Sequence, residues 1–305
     1  MAVKVMGITA GRKDSNSEIL LKEALMYCEE AGADVTMINL KDYHIESCTG
    51  CTSCTRGMAQ GKHTGCVLDE KDDKKKIMEV MLDQDAVIFS APTYDLMPNA
   101  EYLIFAQRSL SYETAFLETI GAIDHKDRVA GLICAGGSTR AWQSMALEAM
   151  QATMFTTDMK VVDMILATRV PGRAQCLLDD ALMARARKMG EHIMKAAATP
   201  PGERGWLGDG YGLVSKLSFQ CPGAGRTPVG RAALSRGMSG LRRGRRSGTD
   251  RGWKMEICHP KRRISEGPHH SGRPGKAPGR DRAYRGRILC RAKESEGGAG
   301  KGAEV

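Results

Sequence analysis

The chain has 305 residues, 10 cysteines and a formal net charge of +9, but the charge is unevenly placed: residues 1–199 carry 22 Lys and Arg against 27 Asp and Glu, and residues 200–305 carry 23 against 9. No stretch reaches the roughly 20 apolar residues of a membrane-spanning helix, and the start MAVKVMGITAGRKD lacks the apolar region of a signal peptide. These features argue against a membrane protein and predict a cytoplasmic one, in which cysteines stay reduced unless they hold metal.

Residues 3–8 form a short apolar run and predict a first strand, followed by the small polar segment from Thr9 to Ser17. A helix then follows with Ile19, Leu20, Ala24, Leu25 and Cys28 on one face. Ser15, Asn16 and Ser17 can cap it, and its unpaired N–H groups and positive end make an anion site. Gly32 ends that helix, and residues 34–40 predict a second strand. Past a cysteine-bearing loop come a helix over 73–82 and a buried strand over 86–90. A turn follows through Ala91, Pro92, Thr93 and Tyr94, where a planar cofactor could stack.

A helix over 100–110, a strand over 129–134 and the loop Ala135-Gly136-Gly137-Ser138-Thr139 come next. The chain continues as a helix over 143–154, a fifth strand over 160–166 and a closing helix over 177–198. Five β–α pairs with polar loops after strands one, three and four predict an α/β doubly wound parallel sheet that binds its ligand beyond the strands' carboxyl ends. Each loop alone also reads as an ordinary turn, and only their order is informative. Cys28, Cys134 and Cys176 read as small apolar residues.

Cys48, Cys51 and Cys54 recur every third residue in a loop that ends at Cys66. Such spacing can aim several thiolates at one centre, as in iron–sulfur sites, whereas structural zinc more often takes two separated pairs. Spacing alone leaves iron–sulfur, zinc and unligated thiols open. His63 in the same loop reads as a solvated side chain. No Gly-x-x-x-x-Gly-Lys loop is present, which argues against nucleoside triphosphate hydrolysis.

Residues 1–199 are read as one domain, with the cysteine loop at 48–66, and residues 200–305 as a basic, low-complexity tail that is predicted to be disordered. The basic run at 242–246 has little aromatic interleaving, with Trp253 and Tyr284 far apart, so no nucleic-acid partner is expected. A codon choice for residues 214–220 exists that reads, one base later, as Cys-Pro-Ser-Cys-His-Ser, and one for residues 238–244 that reads as Cys-Pro-Val-Cys-Gly-Ala-Gly. Two such knuckles make a zinc ribbon or rubredoxin-like module, so the tail reads as a frameshifted metal-binding module whose charge carries no partner information.

The segment GITAGRKDSNSEILLKEAL resembles the phosphate loop of the NAD(P)H-dependent FMN reductase superfamily, SAPTY its second flavin loop and AGGS its third. CTGCTSC resembles the cysteine run of the iron–sulfur flavoproteins within that superfamily, and the likeness spans residues 3–198. The resemblance implies a flavodoxin-like five-stranded sheet of order 2-1-3-4-5 that binds FMN. Thr9, Arg12, Ser15, Asn16 and Ser17 would surround its phosphate, Pro92, Thr93 and Tyr94 would lie along the ribityl chain and ring, and Gly136 and Gly137 would approach the isoalloxazine edge. It implies Cys48, Cys51, Cys54 and Cys66 as ligands of a 4Fe-4S cluster, although residues 55–65 separate the last two, a longer interval than those relatives have.

The implied activity is an FMN-dependent oxidoreductase or electron-transfer flavoprotein. It would take electrons from NAD(P)H or a ferredoxin-like donor and pass them to a cluster, a quinone or another small acceptor, in a homo-oligomer. Arg12, Lys13 and Arg108 are candidates to attract a nicotinamide phosphate, and no residue stands out as a catalytic acid or base. The rival readings are a cluster-free NAD(P)H:quinone or flavin reductase and a non-enzymatic flavodoxin-like binding protein.

Overall fold

The computed structural model describes residues 2–209. The basic run, Trp253, Tyr284 and both shifted-frame cysteine knuckles lie outside the described residues. Strand β1 (Lys4–Thr9) leads into α1 (Asn16–Glu30), β2 (Asp34–Asn39), α2 (Ser53–Ala59) and α3 (Lys74–Leu82). Then come β3 (Ala86–Tyr94), a two-residue β4 (Met97–Pro98), α4 (Ala100–Gln107), α5 (Thr114–Thr119), β5 (Arg128–Ala135), α6 (Ala146–Thr153), β6 (Met159–Ala167) and α7 (Asp180–Ala198).

The five long strands pair in parallel in the order β2-β1-β3-β5-β6, and β4 adds antiparallel to the end of β3. With β4 set aside this is the flavodoxin-like 2-1-3-4-5 order. Alternate residues of the central strands enter different layers, because successive side chains in a strand point to opposite faces. Met6, Ile8, Val87, Phe89 and Leu132 join a cluster with Met78, Tyr102 and Met150 from α3, α4 and α6. Val5, Ile88, Val129 and Ile133 join one with Leu21, Leu25, Met189 and Ile193 from α1 and α7. At the α1–α7 crossing a Cβ on Gly190 would lie 2.8 Å from Tyr27 Cβ and closer still to the Ala24 carbonyl, so only glycine allows that approach.

The structure departs from the sequence reading in three places. Residues 91–94 are not a turn but the continuation of β3, paired with β5 as far as Pro92 opposite Ala135. Proline is tolerated because β1 ends beside Ser90, so the missing N–H faces no neighbouring acceptor. The reversal comes at Asp95 and Leu96, with φ of 47° and 73°. The cysteine loop, secondly, contains the short helix α2.

Thirdly, residues 200–209, assigned above to the tail, fold back along β6. Leu207 and Gly208 N–H groups donate to the Val162 carbonyl at 2.9 and 3.3 Å. Arg204 donates to the Thr199 and Asp127 carbonyls. The fully buried Asp163 of β6 is held by Arg185 and by His192 Nδ1 at 2.8 Å, and Arg185 also pairs with Asp209. Among the described residues no helix is long and apolar enough to cross a membrane.

Candidate functional site

The loops after β1, β3, β5 and β6 gather at one edge of the sheet. In the first, Ser15 caps α1, its Oγ accepting from Glu18 N at 3.3 Å, while Glu18 Oε2 accepts from Asp14 N at 2.6 Å. Ser15 and Ser17 Oγ lie 3.0 Å apart, both residues buried. A Cβ at Gly11 would stand 2.6 Å from Ser17 Oγ and nearer still to Ser15 Oγ. The absence of a side chain at Gly11 therefore leaves the two hydroxyls a cradle at the positive end of a 15-residue helix, a donor set suited to a phosphate dianion.

The remaining predicted phosphate residues differ in placement. Thr9 is fully buried and its Oγ1 accepts from Gly11 N at 3.3 Å, so it shapes the loop. Arg12 and Lys13 are exposed. The Asn16 side chain is committed elsewhere: Nδ2 donates to the Val170 and Gly172 carbonyls, each at 2.8 Å, and Oδ1 accepts from Cys176 N at 3.0 Å. It clamps the start of α1 to the loop after β6, and its side chain contributes no free donor to the cradle.

At the end of β3, Pro92 is buried, Thr93 half-buried and Tyr94 exposed. Thr93 Oγ1 donates to Gln143 Oε1 at 2.8 Å and lies 3.2 Å from Cys134 Sγ. Gln143, 1% exposed, donates in turn to the Ser138 carbonyl at 3.1 Å. A Cβ on Gly136 would lie 2.6 Å from Gln143 Oε1, and one on Gly137 would lie 2.9 Å from Pro171 Cβ, so both glycines permit the loops to pack together. Gly136 N–H is already given to the Ala167 carbonyl at 2.9 Å.

Asn39 and Asn99 brace the first loop, donating at 2.8 Å to the Gly11 and Ala10 carbonyls. Asn99 Oδ1 is buried without a hydrogen-bond partner, an acceptor that a ribityl hydroxyl or ring N–H would satisfy. The phosphate cradle, the glycine clearances and this orphaned acceptor fit FMN. Sequence reasoning missed Gln143, Asn39 and Asn99, whose only signal is an amide next to a strand end.

The predicted metal residues lie on the excursion between β2 and α3. Cys48 and Cys51 are exposed, and Cys54 and Cys66 half-buried. The Ser53 backbone N–H lowers the Cys51 pKa, whereas burial and the neighbouring charges of Cys66 and Cys51 raise that of Cys54. Among the described residues no three His, Cys, Asp or Glu side chains are assembled to hold a metal ion. His63 packs edge-on against the Tyr112 ring at 6.5 Å. Arg108, a candidate above for attracting nicotinamide, is 3% exposed and paired with the fully buried Asp72 side chain, so it offers no surface charge. Burial pushes the Cys28 and Cys134 thiols up to about 12, which makes them inert as expected.

The strand order, together with an anion cradle at the start of α1 and the small-residue loop after β5, defines a flavodoxin-like protein whose site fits FMN. Residues 3–169 match the NADPH-dependent FMN reductase family, and the chain belongs to it. Over 201 residues it is 25% identical to an iron–sulfur flavoprotein of Methanocaldococcus jannaschii, covering 63% of this chain and 95% of that one. It is 32% identical over 111 residues to an iron–sulfur flavoprotein of Archaeoglobus fulgidus, covering 36% of this chain and 47% of that one. A solved structure described as a flavone reductase superposes with a TM-score of 0.51 at 24% identity, over 68% of this chain and 67% of the other, and supports the fold.

Proposed function

We propose that this FMN reductase-type oxidoreductase takes electrons from NAD(P)H or a ferredoxin-like donor and delivers them to a quinone or other small acceptor. A 4Fe-4S cluster on Cys48, Cys51, Cys54 and Cys66 would serve as the one-electron outlet. The carrying observation is the Gly11, Ser15 and Ser17 cradle at the start of α1, which selects a phosphate-bearing cofactor without a metal. FMN, when bound, supplies the two-electron and one-electron chemistry.

The protein's residues do the rest. Ser15 and Ser17 would hold the phosphate, Asn39 and Asn99 engage the Gly11 and Ala10 carbonyls, and Gln143 ties Thr93 to the Ser138 carbonyl. Tyr94, 53% exposed, would cover the ring. The named iron–sulfur relatives support the cluster. The unassembled thiols favour the second reading, a cluster-free NAD(P)H:quinone or flavin reductase. A homo-oligomer and the residue 1–199 unit as the redox domain belong to the same proposal.

Anaerobic purification of the full chain tests it, with FMN, iron and sulfide quantified and NAD(P)H oxidation followed with and without quinone. FMN with about four iron per chain supports the cluster reading. FMN and quinone-dependent turnover without iron selects the second, and no FMN binding refutes both.

A further inference from the structure

Beneath the cysteine loop lies a charged cluster that the flavin site does not use. The segment between β2 and α3 is tied together at His44 and Asp73: Asp73 N–H donates to the His44 carbonyl at 2.9 Å and Asp73 Oδ2 accepts from His44 N at 3.1 Å. Asp72 Oδ2 accepts from Glu46 N at 2.9 Å. Into this neck projects Arg108, from the 3-10 segment that follows α4. Its Nη1 donates to the Glu46 carbonyl at 3.2 Å and pairs closely with Asp72, and its Nη2 donates to Cys66 Sγ at 3.5 Å and lies 3.7 Å from Asp69 Oδ1. Asp69 Oδ2 in turn accepts from Cys66 N at 2.8 Å.

One guanidinium therefore touches the residue two before Cys48, the Cys66 sulfur itself and the Asp69 and Asp72 carboxylates, which accept from Cys66 N and Glu46 N. The Arg108 and Asp72 side chains are 1% and 0% exposed. Burying such a pair is costly unless its geometry is well satisfied, and the same surface closure could be made by apolar residues. Arg rather than Lys suits the task, because a planar fork can serve several acceptors at once, whereas an ammonium is a point charge.

We propose that Arg108 is the positioning residue of the cysteine loop: it fixes the Cys66 sulfur and both ends of the loop against the helix layer that also packs on the flavin-binding sheet. This rests on the reading that the loop is a redox element, but the clamp itself is testable without it. A ligand to any group at Cys66 is then held by a second partner, the arrangement that ordinarily sets metal affinity.

The test uses the full chain with FMN, stripped of metal by chelation, as wild type, Arg108→Lys and Arg108→Gln. Labelling of Cys66 by a bulky maleimide is followed by mass spectrometry, each rate being divided by that of the same thiol in the urea-unfolded chain, so that the ratio reports access. Arg108→Gln is expected to speed Cys66 labelling by about tenfold, the scale on which lost local protection is felt, and to leave the already exposed Cys51 within about twofold. Arg108→Lys keeps the charge opposite Asp72 and is expected to retain FMN, yet fails to restore Cys66 shielding; it also decides the matter if the Gln variant does not fold.

Iron and sulfide are then added to each protein. Arg108→Lys should bind iron about 10- to 100-fold more weakly than wild type, with loss of visible absorption. Cys66 labelling within twofold of wild type in both variants overturns the clamp. A wild type that takes up no iron overturns the cluster reading, while the labelling still decides the clamp.

Discussion

Replacing Gly11 by alanine isolates the phosphate cradle from the rest of the fold. The added Cβ would sit 2.6 Å from Ser17 Oγ and closer to Ser15 Oγ, so both hydroxyls must turn away. Each would otherwise make a hydrogen bond to a charged phosphate, worth about 1.5–3 kcal/mol, so two lost bonds cost about 3–4 kcal/mol of binding after partial compensation by water. That corresponds to a rise in Kd for FMN of roughly two to three orders of magnitude. Turning Ser15 also weakens its cap on Glu18 N, which costs the FMN-free protein about 1 kcal/mol. The assay is titration of FMN-free full chain with FMN, read by flavin fluorescence, beside urea unfolding of the same samples. A Kd within threefold of wild type would refute the cradle, as would an affinity loss no larger than the loss of folded protein.

Asn16→Ala should act on stability. It leaves the buried Val170 carbonyl and Cys176 N–H without partners, and about 2–4 kcal/mol is expected to be lost in urea unfolding; a loss below about 1 kcal/mol would remove the clamp reading. Lys74 is fully buried, its Nζ donating to Ser109 Oγ at 3.0 Å, and burial, with the nearby Arg108 charge, holds its pKa well below 10.5. Between that lowered value and 10.5 the unfolded chain binds a proton that the folded one does not, so this residue makes stability rise with pH. Lys74→Met should stabilise the protein at neutral pH by about 1 kcal/mol or more, and the gain should shrink toward pH 10; an equal difference at both pH values refutes the assignment. Truncation after Thr199 should be less stable than truncation after Asp209 by about 2–4 kcal/mol, since it removes the partly buried Trp206 and Leu207 with their ties to Val162 and Arg185; equal urea midpoints would show that the segment adds nothing.

The sheet was legible because parallel strands buried on both faces read as apolar runs, such as Ala86-Val87-Ile88-Phe89, and Gly32 at φ 88° marks the end of α1 as read. The extent of β3 was not legible. Pro92 signals a break locally, and only knowledge that β1 stops beside Ser90 makes it harmless. At the site, Ser15 and Ser17 announce themselves by capping chemistry, which is local in sequence. Asn16 sits between them and looks the same, but its partners lie more than 150 positions away, at Val170, Gly172 and Cys176. Arg108 misled for the same reason: a cation reads as a surface charge until Asp72 and Cys66 are placed beside it.

The segment that folds along β6 has a consequence for how this protein can be made. A sheet border offers unpaired N–H and C=O groups to any extended chain nearby. Here Leu207 and Gly208 occupy the Val162 carbonyl, and Asp209 closes over Arg185. During synthesis that border is complete in sequence by Ala167 but stays bare until forty more residues have emerged from the ribosome. Chains interrupted in that interval leave the Val162 carbonyl open to intermolecular pairing, so they should self-associate more than chains that reach Asp209.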